Sequence, residues 1–432
     1  MGYTKRLLDR QAELGRPVRV GIVGAGQMGR GLVAQVQLAP GLEVVAVADV
    51  DIDRATTALK NAGRDDAVVE NDVAKASQII EAGQSVAIND GLKMPELPID
   101  MVLEASGVPD VAAQVAYAAI TNHTDIGLMT VEADVTVGLL LSSMANAGDS
   151  IYTICRGDEP IECVKLVEYA QDLGLEVVVA GKGKNNPNRP TDVPDDVVEE
   201  AKVKKMNPKM LCSFTDGTKT QIEMCALSNA TGYKVEVPGM HGIACDVDEL
   251  DKKLVPVADG GIRESDGPIV EYVTGNVAPG VFVIVRSPNP VVTEELQYLR
   301  VGKGDYFKIY RPYHLASIEA DLSVGEAVLD RHPSFQSTTW TSEVTAVAKH
   351  DLKAGTKLEG IGGHHVHGWT TNAEDATAKK ALPIGLAAGC VLTADVKAGE
   401  TVTYDDVEID ENRPLVAMRR LQDALVANGT IG

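Results

Sequence analysis

The sequence predicts an α/β fold on a doubly wound parallel sheet, followed by an α+β domain and a small β-rich module. Three observations predict it. A strand, a glycine turn and a helix stand near the start, in Val18-Arg-Val-Gly-Ile-Val-Gly-Ala-Gly-Gln-Met-Gly29 and the residues after it. Strands and helices then alternate to about residue 155. Near the other end, Lys349-His-Asp-Leu-Lys-Ala-Gly-Thr356 is echoed by Thr393-Ala-Asp-Val-Lys-Ala-Gly-Glu400, and each Ala-Gly turn leads into a β-like run.

In the first unit, Val18, Val20, Ile22 and Val23 read as a buried strand, and Leu32, Val33, Val36 and Leu38 as the apolar side of a helix. The turn between them, Gly24-Ala25-Gly26-Gln27-Met28-Gly29, has the G-x-G-x-x-G spacing of a Rossmann dinucleotide site. Gly24 permits the tight turn, Gly26 lets the backbone approach a pyrophosphate, and Gly29 lets helix and strand pack closely. The helix N-terminus offers unpaired N–H groups to the phosphates. A second strand, Val44 to Ala48, ends on Asp49, where a carboxylate suits ribose hydroxyls and repels the 2′-phosphate of NADP. Arg54 lies near enough in sequence to offset that repulsion, so NAD and NADP both stay open. The plain alternative is a glycine-rich turn that binds no nucleotide.

The alternation continues with helices over Asp53–Ala62 and Asn71–Glu81, the latter capped by Asn71 or Asp72. A strand in Ile99–Gly107 ends at Ser106-Gly107, a position suited to a nicotinamide ribose. Further helices fall at Val111–Ile120 and Val135–Ala147, and strands at Ile126–Thr130 and Ile151–Ile154. Beyond Arg156, a helix over Glu162–Leu173 and a strand over Glu176–Ala180 precede a polar loop from Lys184 to Asp196. Another helix covers Thr218–Ala230, and Gly280–Arg286 is the clearest later strand. The domain boundaries that follow are 1–155, completed by a helix near 315–330, then 156–341, then 342–432, a compact β-clip-like unit with a helix at Pro414–Asn428.

The 432 residues carry a net charge of −22. That balance disfavours nucleic acid or an anionic membrane as partner, because either needs a concentrated basic face. The charged N-terminal segment lacks the apolar core of a signal peptide, and no apolar run approaches the ~20 residues of a membrane span. Six cysteines without C-x-x-C spacing read as reduced thiols, which suggests a cytoplasmic protein. An anionic substrate must be held by local cations against this field.

Several clusters carry candidate chemistry. Glu132 and Asp134 follow a strand's carboxyl end, where Glu132 could face a nicotinamide; helix capping by Asp134 is the alternative. Lys182 and Lys184, in Gly181-Lys-Gly-Lys184, read as a glycine-rich turn suited to phosphate or carboxylate, or as solvated loop lysines. Asp216-Gly-Thr218 opens a helix on which Lys219 and Glu223 stand at i and i+4. They form either a surface ion pair or a site where Lys219 polarises a carbonyl, with Asp216 or Glu223 setting its pKa. In Tyr310-Arg-Pro-Tyr-His314, Arg311 could clamp an anion and His314 could titrate near neutrality. The tract Gly362-Gly-His-His-Val-His-Gly368 lacks a spaced acid or cysteine, and no metal site is expected there.

Residues 17 to about 340 resemble the homoserine-dehydrogenase-like oxidoreductases in Gly24–Gly29, Leu103-Glu-Ala-Ser-Gly107 and Asp216-Gly-Thr218. Those enzymes carry an Asn-Lys pair where this chain has Val131-Glu-Ala-Asp134, which argues against homoserine as substrate. The chain is more similar to the deoxyxylulose-phosphate reductoisomerase-like (DRL) subgroup, through Val131–Asp134, Gly181–Gly183, Met206–Lys219 and Arg311–Leu315. The repeat after Ser342 resembles the SAF module of sialic acid synthases and sugar-acid dehydratases. The resemblance implies an NAD(P)-dependent oxidoreductase, with Lys219, Asp216, Glu132 and Lys182 at the reacting centre. Lys184, Thr218, Arg311 and His314 would hold a small anionic, polyhydroxylated substrate such as a sugar phosphate or sugar acid. It also implies a homodimer or homotetramer and, for a reductoisomerase, a divalent metal with Glu132, Asp134 and Asp216 as candidate ligands. Homoserine dehydrogenase and a non-catalytic nucleotide-dependent sensor or scaffold are the competing expectations.

Overall fold

The computed structural model describes residues 2–432. The first third of the chain forms α1 (Tyr3–Leu14), β1 (Val18–Val23), α2 (Gln27–Leu38), β2 (Leu42–Ala48), α3 (Ile52–Asn61), β3 (Val68–Val69), α4 (Val73–Glu81), β4 (Val86–Ile88), β5 (Met101–Glu104), α5 (Pro109–Thr121), β6 (Asp125–Leu128), α6 (Val131–Gly148) and β7 (Tyr152–Ile154). Next come α7 (Glu159–Asp172), β8 (Glu176–Lys184), α8 (Val198–Lys204), α9 (Pro208–Thr215), α10 (Thr218–Thr231), α11 (Leu250–Lys253), β9 (Ile269–Thr274), β10 (Val281–Arg286), α12 (Pro290–Tyr298), β11 (Tyr306–Arg311) and α13 (Ala316–Gly325). The chain closes with β12 (Ser342–Ala348), β13 (Val366–Asn372), α14 (Ala373–Ala378), β14 (Val391–Leu392), β15 (Val407–Glu408) and α15 (Pro414–Ala427). These elements fall into two compact units. One holds residues up to 161 with 315–336 and 413–431; the other holds 162–314 with 337–412.

The first unit is the expected doubly wound α/β layer. Its seven strands run in the order β3-β4-β2-β1-β5-β6-β7, and every pair is parallel. Strands covered on both faces need apolar residues throughout, and Val20, Ile22, Val44, Val47, Met101 and Leu103 are buried. Because β1 lies between β2 and β5, the strand order reverses there, opening a crevice at the carboxyl ends. Helix α13 packs on α2, where the absence of a side chain at Gly31 admits Ser317. Sequence alone groups α15 with the β-rich module, whereas the structure packs it against α5 and α6. Its Leu415 and Val416 are buried, Arg413 pairs with Asp110 at 2.8 Å, and Gln422 accepts the Leu140 N–H at 3.0 Å. These contacts satisfy polar groups on α6 that a free terminal helix would leave to water.

The second unit is built on a four-stranded sheet, β11-β10-β8-β9, antiparallel except between β8 and β9. Its core gathers Val179, Leu250, Ile269, Phe282 and Ile284. Here the sequence expectation needs a correction: Gly181-Lys-Gly-Lys184 is the second half of β8, and no turn occurs there. The two-residue alternation of a strand explains why. A Cβ on Gly181 would lie 2.0 Å from the Glu271 carbonyl oxygen, and one on Gly183 would lie 2.2 Å from the Ala278 nitrogen. The glycines therefore serve a crowded face, and the lysines project from the other.

Residues 342–412 lie in this same unit. β12 and β13 form an antiparallel ribbon from Ser342↔Asn372 to Ala348↔Val366 and pack on α10. The internal repeat makes a reciprocal clasp. Asp395 accepts the Ala354 N–H at 3.0 Å and pairs with Lys353, while Asp351 accepts the Ala398 N–H at 3.0 Å and pairs with Lys397. Leu352 and Val396 pair across the centre. Each copy's aspartate thus caps the other copy's Ala-Gly turn.

The glycine turn yields a stability contrast. A Cβ on Gly29 would lie 1.7 Å from the Gly24 carbonyl oxygen, whereas one on Gly26 meets nothing within 4 Å. Gly29→Ala should cost about 1–3 kcal/mol by overpacking and lower the melting temperature by several degrees, at ~2–4 °C per kcal/mol. Gly26→Ala should melt like the wild type. Equal melting temperatures for the two variants in differential scanning calorimetry would contradict this packing.

Candidate functional site

The first unit presents a nucleotide-shaped end. Gly24 has φ 95°, and its missing side chain leaves room for Ala105 and Ser106, whose backbone a Cβ would approach within 2.8 Å. Gly26 is the cap of α2 and has no side-chain capping bond, so the helix N–H groups remain available to an anion. The open space at Gly26, into which any other side chain would project, fits a pyrophosphate. Gln27 and Met28 are exposed on the first turn, and Ala25 donates its N–H to Asp49 Oδ2 at 2.7 Å. Asp49 Oδ1 accepts the Asp51 N–H at 2.8 Å. This carboxylate is held at the end of β2 and ties the second strand to the glycine turn. Arg54, the expected counter-charge for a 2′-phosphate, is paired with Asp51 at 3.1 Å on the surface.

At the end of β5, Ser106 and Gly107 form the expected turn. The Ser106 N–H is accepted by Glu104 Oε1 at 2.7 Å, and the Gly107 N–H by Thr130 Oγ1 at 3.1 Å. Glu104 is wholly buried, and that burial raises its carboxyl to about 6 despite the hydrogen bonds from Ser106 and Thr130. The sequence expectation passed over Glu104, although it stands inside the quoted Leu103–Gly107 stretch. Helix α6 begins four residues earlier than its apolar pattern suggests, so Glu132 lies in its first turn, where an acid complements the helix dipole. Asp134 does not cap the helix. It is buried inside it and accepts the Tyr152 hydroxyl at 2.9 Å.

In the second unit, β8, α9 and α10 converge on a basic cluster. Lys182, on the lysine face of β8, pairs with Glu223 of α10, and both are nearly inaccessible to solvent. The other Glu223 oxygen lies 3.9 Å from Lys219 Nζ, whose side chain is 18% exposed. Glu223 thus bridges two ammonium groups, and the i,i+4 pair is no plain surface contact. Lys184, two residues along the strand, donates to the Phe214 carbonyl at 2.6 Å. Burial first, and then the Lys182 charge, lower its ammonium to about 8. Three lysines around one carboxylate make a local positive site in a chain of charge −22.

Asp216 has a different task from the one expected of it. Its Oδ1 accepts the Thr218 N–H at 2.8 Å, capping α10, and its Oδ2 pairs at 2.8 Å with Lys349 in complete burial. Lys349 also donates to the carbonyls of Asp192 at 2.6 Å and Gly363 at 2.7 Å. With its oxygens committed in this way, Asp216 is a structural acid. Thr218 is likewise engaged, its hydroxyl accepting the Gly368 N–H at 2.8 Å. Arg311 lies two strands from Lys182, since Val281 is the neighbour of both. It pairs with the buried Glu162 and stacks on the Tyr313 ring at 4.7 Å. His314 is half-buried three residues beyond β11. Two of the three residues considered as metal ligands are engaged otherwise: Asp134 is held by Tyr152, and Asp216 by Lys349.

Besides Glu104, sequence reasoning missed Lys349 and the bridging role of Glu223. A signal for Lys349 existed. Across the repeat, the aspartate, second lysine, alanine and glycine recur, but Lys349 is matched by Thr393.

Residues 157–320 match the family model described as "Oxidoreductase DRL, catalytic domain". Among curated proteins, none matches the chain in sequence. Similar solved structures include a probable dehydrogenase from Thermotoga maritima, at 14% identity over 73% of this chain and 90% of that one, with TM-score 0.38. A myo-inositol dehydrogenase from Corynebacterium glutamicum ATCC 13032 shows 11% identity over 73% and 89%, with TM-score 0.40. A DOX-P reductoisomerase solved with fosmidomycin and magnesium shows 14% over 48% and 56%, with TM-score 0.35. At scores this low, function has to rest on the family match and on the chain's own residues. The class these support is an oxidoreductase.

The Lys349–Asp216 pair generates a stability prediction. Removing one partner of a buried pair costs about 3–5 kcal/mol, so Lys349→Met should shift the urea midpoint sharply downward. Lys349→Met/Asp216→Asn should recover part of the loss by removing the stranded charge. A double variant no more stable than the single one would show that the carboxylate charge is not the source of the cost.

Proposed function

We propose that this chain is an NAD(P)-dependent oxidoreductase that moves hydride to or from a carbonyl or hydroxyl carbon of a small anionic, polyhydroxylated substrate, a sugar phosphate or sugar acid. The observation that carries the proposal is the lysine cluster on β8 and α10, together with the family match over the same segment. The glycine turn supports the nicotinamide cofactor, which supplies or accepts the hydride when bound. Asp49 favours an unphosphorylated ribose, because Arg54 is already paired.

Within the cluster, Lys219 is the group that meets the reacting oxygen. As hydride reaches a carbonyl carbon, negative charge builds on that oxygen, and an ammonium placed there stabilises it and can deliver a proton. Glu223 places a carboxylate oxygen 3.9 Å from the Lys219 ammonium, with Lys182 balancing the shared carboxylate. Lys184 holds the anionic end of the substrate. In the first unit, Glu132 stands in the first turn of α6, at the carboxyl edge of the sheet. The sequence resemblance through Val131–Asp134, Gly181–Gly183 and Arg311–Leu315 supports a second, narrower reading in which a carbon-skeleton rearrangement precedes reduction, as in a reductoisomerase acting on 1-deoxyxylulose 5-phosphate.

Turnover assays across sugar phosphates and aldonates, with both cofactors, test the proposal. Lys219→Met should lower kcat by about 10²–10⁴-fold while leaving the NADH dissociation constant unchanged, and NADH should bind more tightly than NADPH. Undiminished turnover in that variant would remove Lys219 from its role. A rearranged product identifies the reductoisomerase and an unrearranged one a simple dehydrogenase; nucleotide binding without any turnover would favour a sensor.

Lys184 supplies the pH dependence. Its ammonium is brought down to about 8, so it is charged below that pH and neutral above it. KM for the anionic substrate should therefore rise as pH increases from 7 to 9. In Lys184→Arg, which keeps its charge throughout, the KM profile should be flat over that range. The same rise in both proteins would assign the titration to another group.

A further inference from the structure

The second unit contains a cavity of about 380 Å³ that the proposed reaction does not use. It opens on one face of the β12–β13 ribbon. Thr345 pairs with Trp369 and Val347 with His367 across that ribbon, so these residues share a face and line the cavity together. The volume falls at the lower end of the ~300–1,000 Å³ range of small-molecule sites.

Its lining has a definite chemistry. The Trp369 indole is wedged against Gly239, where a Cβ would lie 2.1 Å from the ring, and His367 meets it edge-on at 5.9 Å. The indole is thereby held in one orientation and offers an apolar surface. Thr371 and Thr401 add hydroxyl groups, and Thr345, which donates to the Trp369 carbonyl at 3.0 Å, keeps its lone pairs. Burial lowers the His367 pKa, and the neutral ring directs Nδ1–H to the Gly368 carbonyl at 3.2 Å, leaving Nε2 as an acceptor. Lys379 supplies an exposed cation at the rim. None of the lining residues is acidic, in a chain with 62 aspartates and glutamates. An aromatic surface, several hydroxyls, a neutral imidazole and one cation suit a hydroxylated carbon chain with a single negative end.

We propose that this cavity binds a small polyhydroxylated carboxylate, seated on Trp369, with its hydroxyls toward Thr371 and Thr401 and its carboxylate at Lys379. The site is separate from the lysine cluster and does not depend on the redox reading. It is nevertheless joined to the same helix. The residues of β13 that alternate with the cavity-lining ones, Gly368 and Thr370, bond to Thr218 and Gln221 of α10, which carries Lys219 and Glu223.

The test uses the full-length protein without nucleotide. The chain has two tryptophans, so Trp340→Phe leaves Trp369 as the only indole reporter. Titration of this variant with sodium D-gluconate, at constant ionic strength, should change its fluorescence saturably, with a dissociation constant of about 1 mM or tighter. Adding Lys379→Ala should weaken binding by about tenfold, and adding Lys219→Met should leave it unchanged. Three results would overturn the proposal: no saturable change, a response indifferent to Lys379→Ala, or a response lost with Lys219→Met. Lys379 is exposed, and near-ultraviolet circular dichroism of its variant checks that the fold is intact.

Discussion

One buried ammonium group, Lys349 Nζ, fixes the place where the chemistry of the second unit begins. An ammonium has three hydrogens, and here they meet Asp216 Oδ2, the Asp192 carbonyl and the Gly363 carbonyl. Desolvating such a charge costs several kcal/mol unless partners replace its water. The cost is offset only when the loop carrying Asp192, the helix start carrying Asp216 and the strand end carrying Lys349 arrive together. The first turn of α10 is consequently held in position by a segment more than a hundred residues away in the chain. Lys219 stands in that turn and Glu223 on the next, and both inherit its placement.

The first unit depends on a similar economy of backbone groups. Asp49 spends one carboxylate oxygen on the Ala25 N–H and the other on the Asp51 N–H. Glu104 spends an oxygen on the Ser106 N–H. Two acids at the carboxyl ends of two strands thus hold the two turns that a dinucleotide would touch. They also leave the N–H groups at the start of α2 without a side-chain cap, which is the condition an anion needs at a helix terminus.

Much of this was legible in the sequence. The order of strands and helices follows from buried parallel strands, whose apolar runs are hard to mistake, and the glycine turn follows from spacing. Long-range pairing was not legible. Lys182 and Glu223 are forty-one residues apart, and nothing local to either announces the other. Gly181-Lys-Gly-Lys184 was misleading for a physical reason: glycine often marks a turn, yet here it marks a strand face crowded by Glu271 and Ala278. The opposite limit appears at Asp216, whose proximity in sequence to Lys219 suggested shared chemistry. The aspartate instead turns its oxygens to Thr218 and Lys349, because a helix start and a buried cation both need acceptors there.

Helix α10 lies where two strands each serve two neighbours. On β8 the glycine face admits the adjoining backbone while the lysine face reaches α9 and α10. On β13 the residues Gly368 and Thr370 bond to α10, while His367, Trp369 and Thr371 turn the other way to the cavity. A strand cannot shift one face without shifting the other, because the alternation is built into its backbone. Any displacement of Trp369 along β13 would therefore stretch the bonds at Thr218 and Gln221, and any displacement of α10 would move Glu223 against Lys182. The cavity and the lysine cluster thus border the same helix, which is held by strand residues on both sides.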